Sequence, residues 1–131
     1  MRERTTIGEM LDRARAGLER VTPVEAQEAI EGGGLLVDIR SERQRERDGA
    51  VPGAAYFPRN VLEWRADPSS PAHDPSFGDP RRRVIVMCDE GYQSSLAAAT
   101  LQHLGFHRAT DLVGGFKAWR AAGLPVERCE E

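Results

Sequence analysis

Cysteine is scarce in this chain. Its 131 residues hold two, Cys88 and Cys129, far apart and in unlike surroundings, which excludes a disulfide framework and a cysteine metal quartet. The three histidines, His73, His103 and His107, lack metal-ligand spacing and none adjoins a cysteine, so neither a metal centre nor a Cys-His hydrolase is expected. Long apolar runs are also missing. None approaches the roughly 20 residues that span a bilayer, so no membrane segment is expected. Met1-Arg2-Glu3-Arg4 is charged and no apolar core follows it, so no secretory leader is expected either. A formal net charge of -3 leaves no basic footprint for nucleic acid. The one basic run, Arg81-Arg82-Arg83, reads as a solvated strand entry, with contact to an anion or acidic partner as the alternative. Unpaired thiols fit a reducing cytoplasm.

What is present is an ordinary soluble composition, 40% hydrophobic and 30% charged, in a length that suits one domain with a real core. The informative stretch runs from Val84 to Leu104. Val84-Ile85-Val86-Met87 is a short, β-branched apolar run, which predicts a strand covered on both faces. Leu96, Ala97, Thr100, Leu101 and Leu104 recur at three- and four-residue spacing and predict one helix face, with Ser94 or Ser95 as cap and Gly105 as stop. Cys88 therefore falls at the corner where a strand ends and the N–H groups of a helix gather, a place that suits an anion.

Earlier in the chain, Ile7, Met10, Leu11, Ala14 and Leu18 predict a helix over 7–18, within an N-terminal helical extension of residues 1–20. The remaining residues, 21–131, form the domain. Thr22-Pro23-Val24-Glu25 carries a capping-box start and Gly32-Gly33-Gly34 an end. Leu35 to Arg40 reads as a buried strand, Ser41 to Asp48 as a short solvated helix, and 51–58 as a turn with a short strand. Val61-Leu62-Glu63-Trp64 starts another short helix. Residues 66–83, with Pro68, Pro71, Pro75 and Pro80, read as a long surface loop whose length suggests a lid. Ala109 to Leu112 predicts a last strand and 116–122 a last helix, with Phe116 and Trp119 as core anchors. Trp64 reads as packing, or alternatively as part of the site mouth.

Strands alternating with helices predict an α/β fold with a mostly parallel sheet. Sites in such folds lie beyond the carboxyl ends of the strands. Arg40, Pro58-Arg59, the Cys88 loop and Val113-Gly114 should therefore be neighbours.

Four pieces now stand in order: Asp38-Ile39-Arg40; Val51-Pro52-Gly53-Ala54; Cys88-Asp89-Glu90-Gly91-Tyr92-Gln93-Ser94; and Gly114-Gly115-Phe116-Lys117-Ala118-Trp119 with Gly123-Leu124-Pro125-Val126. Together they resemble the single-domain rhodanese-like sulfurtransferase family over about residues 21 to 127. The resemblance implies a five-stranded parallel sheet flanked by helices on both faces. It also implies that Cys88 takes sulfane sulfur from a donor as a persulfide and passes it to a nucleophilic acceptor. No cofactor beyond that covalent persulfide is implied. The partners would be a small sulfane donor or a protein persulfide, and a thiol or cyanide-like acceptor; the protein would be a monomer or homodimer. Asp89 stands where many members have a basic residue, Gln93 where many have arginine, and Ala50 where histidine is usual. These departures weigh against a dianionic donor such as thiosulfate.

The residues carry readings of their own. Cys88 is either a nucleophilic thiolate held by a nest of main-chain N–H groups or a small buried hydrophobe. Gly91 lets the loop curl, Asp89 and Glu90 are expected to point outward, and Tyr92 and Gln93 either shape the pocket wall or face solvent. Ser94 is a helix cap or, alternatively, a catalytic hydroxyl. Asp38 and Arg40 form a structural pair, unless Arg40 faces the pocket; Arg59 is a second rim candidate. Cys129 reads as an incidental thiol, with a resolving role as the alternative. At the level of function, a non-catalytic rhodanese-like partner-binding or regulatory module competes with the sulfurtransferase. A cysteine phosphatase is a third possibility, but that chemistry calls for an arginine where Ser94 stands.

Overall fold

Strand β3 (Val84–Met87) lies in the middle of the molecule, and all four of its side chains are buried. The computed structural model describes residues 3–129. Around β3 the chain runs α1 (Ile7–Ala16), α2 (Pro23–Glu31), β1 (Leu35–Asp38), α3 (Glu42–Asp48), β2 (Ala55–Tyr56) and α4 (Leu62–Ala66). After β3 come α5 (Gln93–His103), β4 (Ala109–Asp111) and α6 (Gly115–Ala121).

The strands pair in parallel in the order β2-β1-β3-β4. Register is continuous from Leu35 opposite Val84 to Asp38 opposite Met87, so the carboxyl ends align. The sheet has four strands, not five. At the fifth position the chain makes one parallel bridge, Val21 to Leu112. Nothing longer forms because Thr22 already caps α2 and Pro23, its first residue, has no N–H to give a ladder.

Side chains alternate between two cores, as strand geometry requires. Leu35, Val37, Val84 and Val86 face one side with Leu62 and Ala66 of α4 and Ala97, Ala98 and Leu101 of α5. Leu36, Ile85 and Met87 face the other with Ala26 of α2 and Phe116 and Trp119 of α6. Burial on both faces of the sheet makes an unbroken apolar run the right sequence for β3.

Three helices begin at capping boxes, of which the sequence announced the one at Thr22. Thr6 with Glu9, Thr22 with Glu25 and Ser41 with Gln44 each exchange both bonds of the motif. Helix α1 packs on α5 but buries none of its residues, and Ile7 and Met10 of its expected apolar face are exposed. The 66–83 segment is anchored as well as irregular. Asp74 caps a short 3-10 turn, Pro75–Phe77. Phe77 is 1% exposed, its ring centre 5.1 Å from that of Phe57 and 5.6 Å from that of Phe106, which it meets edge-on. Trp64, expected to pack, is 61% exposed.

Candidate active site

Past Met87 the chain leaves the sheet, turns through Cys88 to Tyr92 and enters α5. The turn depends on Gly91, whose φ is +90°. A Cβ there would lie 2.8 Å from the Gly114 nitrogen, so both the conformation and the close approach require glycine. The Gly91 N–H donates to Cys88 Sγ at 3.1 Å, and the Ser94 N–H, in the first turn of α5, donates at 3.4 Å. From the other side, α6 brings its first N–H groups to the loop carbonyls. Phe116 donates to Cys88 O at 2.8 Å and Lys117 to Asp89 O at 3.1 Å. Thus α6 fixes the loop's carbonyls while α5 leaves a free donor for the sulfur.

The start of α5 differs from expectation in an instructive way. Its cap is Tyr92, which makes no side-chain capping bond. Neither serine caps. Ser94 Oγ donates to Asp111 Oδ2 at 2.8 Å and Ser95 Oγ to the same oxygen at 2.7 Å. A side-chain cap would compete for the helix's free N–H groups; without one, the Ser94 N–H goes to Cys88. Asp111, fully buried at the end of β4, also pairs with Arg20 at 2.9 Å. Sequence reasoning missed this carboxylate. The available signal was an acid at the end of a buried strand.

Cys88 is 7% exposed and lines an open cleft of about 740 Å³. Ile39, Ser41, Tyr56, Pro58, Arg59, Asp89, Glu90, Tyr92 and Gln93 line it too. Arg40, Pro58-Arg59 and the Cys88 loop therefore meet at one rim, while Gly114 adjoins the loop from the side, against Gly91. No residue of 66–83 lines the cleft, so that segment is no lid over it in this conformation. Cys129 does not line it either.

The charges around the cleft are mostly engaged. Arg40 sits in the wall with its side chain fully buried. It donates twice to Asp38, at 3.1 and 2.9 Å, and once to Gly49 O at 2.7 Å, and it lies 3.8 Å over the Phe116 ring. Arg45 joins the same Asp38 at 3.2 Å. Arg59 donates to Glu63 at 2.7 and 2.8 Å. Glu90 points out to solvent and accepts from Lys117 at 2.9 Å; this bond and the nearby Asp89 hold the Lys117 ammonium above its usual range. Asp89 is less outward than expected. Its side chain is 16% exposed, Oδ2 lies 3.5 Å from Lys117, and Oδ1 is buried without a partner among the described residues. Burial raises the Tyr56 phenol, which also lines the cleft. Among the described residues no group of His, Cys, Asp and Glu is arranged to hold a metal ion, and no helix is long and apolar enough to cross a membrane.

A thiol at the carboxyl end of a parallel strand, met by two main-chain donors and open to a cleft, is equipped for covalent group transfer. Comparison with known proteins narrows the class. The rhodanese-like domain model matches residues 22–122, so the chain belongs to that family. It is 33% identical over 115 residues to the thiosulfate sulfurtransferase GlpE of Ectopseudomonas mendocina, covering 86% of this chain and 93% of that one. A sulfurtransferase of Allochromatium vinosum is 32% identical over 92 residues, 70% of this chain and 77% of its own. Among solved structures, a Rhodopseudomonas palustris protein of unknown function, described as a possible tyrosine phosphatase, superposes with a TM-score of 0.87. It is 38% identical, and the match covers 97% of this chain and 99% of that one.

Proposed function

We propose that this protein is a sulfurtransferase that carries sulfane sulfur as a persulfide on Cys88. The observation that carries this reading is the pair of main-chain N–H groups, from Gly91 and Ser94, on a sulfur that opens into a cleft. Such donors can hydrogen-bond a sulfur anion, and the thiolate is the form that attacks. The thiolate attacks the outer sulfur of the donor. The bond from that sulfur to the donor breaks, and the leaving group departs with the electron pair, as sulfite from thiosulfate, as a thiolate from a thiol persulfide, or, where a C–S bond breaks in 3-mercaptopyruvate, as the enolate of pyruvate, which water protonates. Cys88 then bears an S–S⁻ group that the loop's N–H groups can stabilise as they stabilised the thiolate. An acceptor nucleophile, a thiol or cyanide, attacks the terminal sulfur and releases the Cys88 thiolate. Both half-reactions balance without any cofactor.

Relatives named thiosulfate sulfurtransferases make thiosulfate the first donor to test. Glu90 faces solvent against Lys117, which moderates the acidic loop toward such a dianion. The phosphatase description of the Rhodopseudomonas protein has less support here. A phosphoryl group needs cationic or hydrogen-bonding partners for its equatorial oxygens. Position 94 is serine with its hydroxyl held by Asp111, and Arg40 and Arg59 are each held by a carboxylate. The test is thiocyanate release from cyanide with thiosulfate, 3-mercaptopyruvate and glutathione persulfide as donors. At least one donor should turn over in the wild type and none in Cys88→Ser. No turnover with any donor, by protein whose Cys88 is still alkylated by iodoacetamide, would contradict the reading and favour a non-catalytic module.

A further inference from the structure

The family match begins at residue 22, yet the segment before it reaches the reacting loop. Arg15, on α1, donates through Nη2 to the Gly91 carbonyl at 2.8 Å and through Nε to Ser95 Oγ at 3.1 Å. Its guanidinium also lies 5.6 Å from the centre of the Tyr92 ring. Arg20 donates through Nη2 to the same Gly91 carbonyl at 2.9 Å. One carbonyl oxygen thus takes two guanidinium N–H groups, on the residue whose own N–H meets Cys88 Sγ at 3.1 Å.

The two arginines differ in charge balance. Arg20 is neutralised by Asp111 through both carboxylate oxygens, at 2.9 and 3.2 Å. Arg15 pairs with no carboxylate among the described residues; its partners are a carbonyl, a hydroxyl and an aromatic face. The loop itself offers Asp89 and Glu90 and no cation.

We propose that Arg15 is a positioning residue for Cys88. From the N-terminal helix it supplies the positive charge that the loop's own sequence lacks, and it holds residue 91 so that its N–H stays on the sulfur. The Gly91 carbonyl and N–H lie in neighbouring peptide planes joined at a freely rotating glycine Cα, so pinning the carbonyl restrains the turn that keeps the N–H on the sulfur. Hydrogen bonds from a charged donor are about twice as strong as neutral ones, and a partly buried cation behind the loop favours charge building up on sulfur. Arg20 braces the same carbonyl without adding net charge. The N-terminal extension is then part of the reacting site. Its effect on sulfur transfer rests on the sulfurtransferase reading; its effect on Cys88 reactivity does not.

The experiment uses the full chain and compares wild type, Arg15→Gln and Arg15→Lys. Two constants are read: the second-order rate of Cys88 alkylation by iodoacetamide, and kcat and KM for sulfur transfer from the best donor. Arg15 is a half-buried helix residue that does not line the cleft, so thermal melting should confirm that both variants fold. Arg15→Gln should lower alkylation and kcat at least about tenfold, the rate equivalent of losing one hydrogen bond to a charged group, with KM unchanged. Arg15→Lys should recover part of that loss, since it keeps a cation in reach of the carbonyl but gives up the second bond to Ser95 and the contact with the Tyr92 ring. Wild-type alkylation in Arg15→Gln, a loss confined to KM, or Arg15→Lys as impaired as Arg15→Gln would each overturn the proposal. A wild type that transfers no sulfur would sink the sulfurtransferase reading alone, because alkylation still reads the arginine's effect.

Discussion

At the scale of single residues, the site is built from main chain held by long-range side-chain partners. Gly91 shows the dependence best. Its φ of +90° and the 2.8 Å approach of a would-be Cβ to Gly114 N leave no room for a side chain. Gly91→Ala should cost about 1–3 kcal/mol of stability and abolish persulfide loading, because the N–H leaves the sulfur. Gly53 is the control: φ is +80°, but nothing stands within 4 Å, so Gly53→Ala should lose less stability and keep loading intact. Urea midpoints and loading rates of the two variants check this; equal loading in both would contradict it. The local geometry of Cys88 and Gly91 was legible because it depends on neighbours in sequence. Arg15, Arg20 and Asp111 were not. Their partners lie 76, 71 and 17 residues from them, at Gly91 and Ser94, and no local periodicity encodes such pairings. Arg40 was legible as half of a pair with Asp38, but its full burial and its place over Phe116 follow only from tertiary packing.

At the scale of elements, caps and breakers set the boundaries. Thr22-Pro23-Glu25 announced α2, and the same motif cut the fifth strand to the single residue Val21. A strand expected from family resemblance thus yielded to local backbone chemistry. The 66–83 segment failed to read as core because one phenylalanine among prolines has no periodicity; Phe77 is recognisable only once Phe57 and Phe106 surround it. The capping boxes also make a pH prediction. The carboxylates of Glu9 and Glu25 are held below the usual 4.5, first by the backbone N–H of Thr6 and Thr22, then by the threonine hydroxyls. A carboxyl depressed in the folded state adds stability above its unfolded value, and that stability is lost as pH falls through the lowered folded value. The third box uses Gln44, which does not titrate. Glu9→Gln/Glu25→Gln should therefore keep the caps and flatten the acid limb of the urea-midpoint profile below about pH 4.5. An acid limb as steep as wild type would show that the caps do not contribute to it.

At the scale of the whole molecule, the α/β class and the gathering of the site at the carboxyl end of the sheet followed from alternation and from the buried run at β3. Parallel register then did the assembling: with Asp38 opposite Met87 and Val86 opposite Asp111, the strand ends coincide and the loops after them meet. The N-terminal helix was legible as a helix, but its link to the site was not, because that link is polar and long-range. The central claim is that Cys88 carries sulfur. It is tested most directly by peptide mass spectrometry of the full chain after exposure to a sulfane donor, with and without a reductant. The account predicts a gain of about one sulfur atom on the Cys88 peptide, reversed by reductant or cyanide and absent from the Cys129 peptide. An unmodified Cys88 after exposure to every donor that loads a known sulfurtransferase would contradict it.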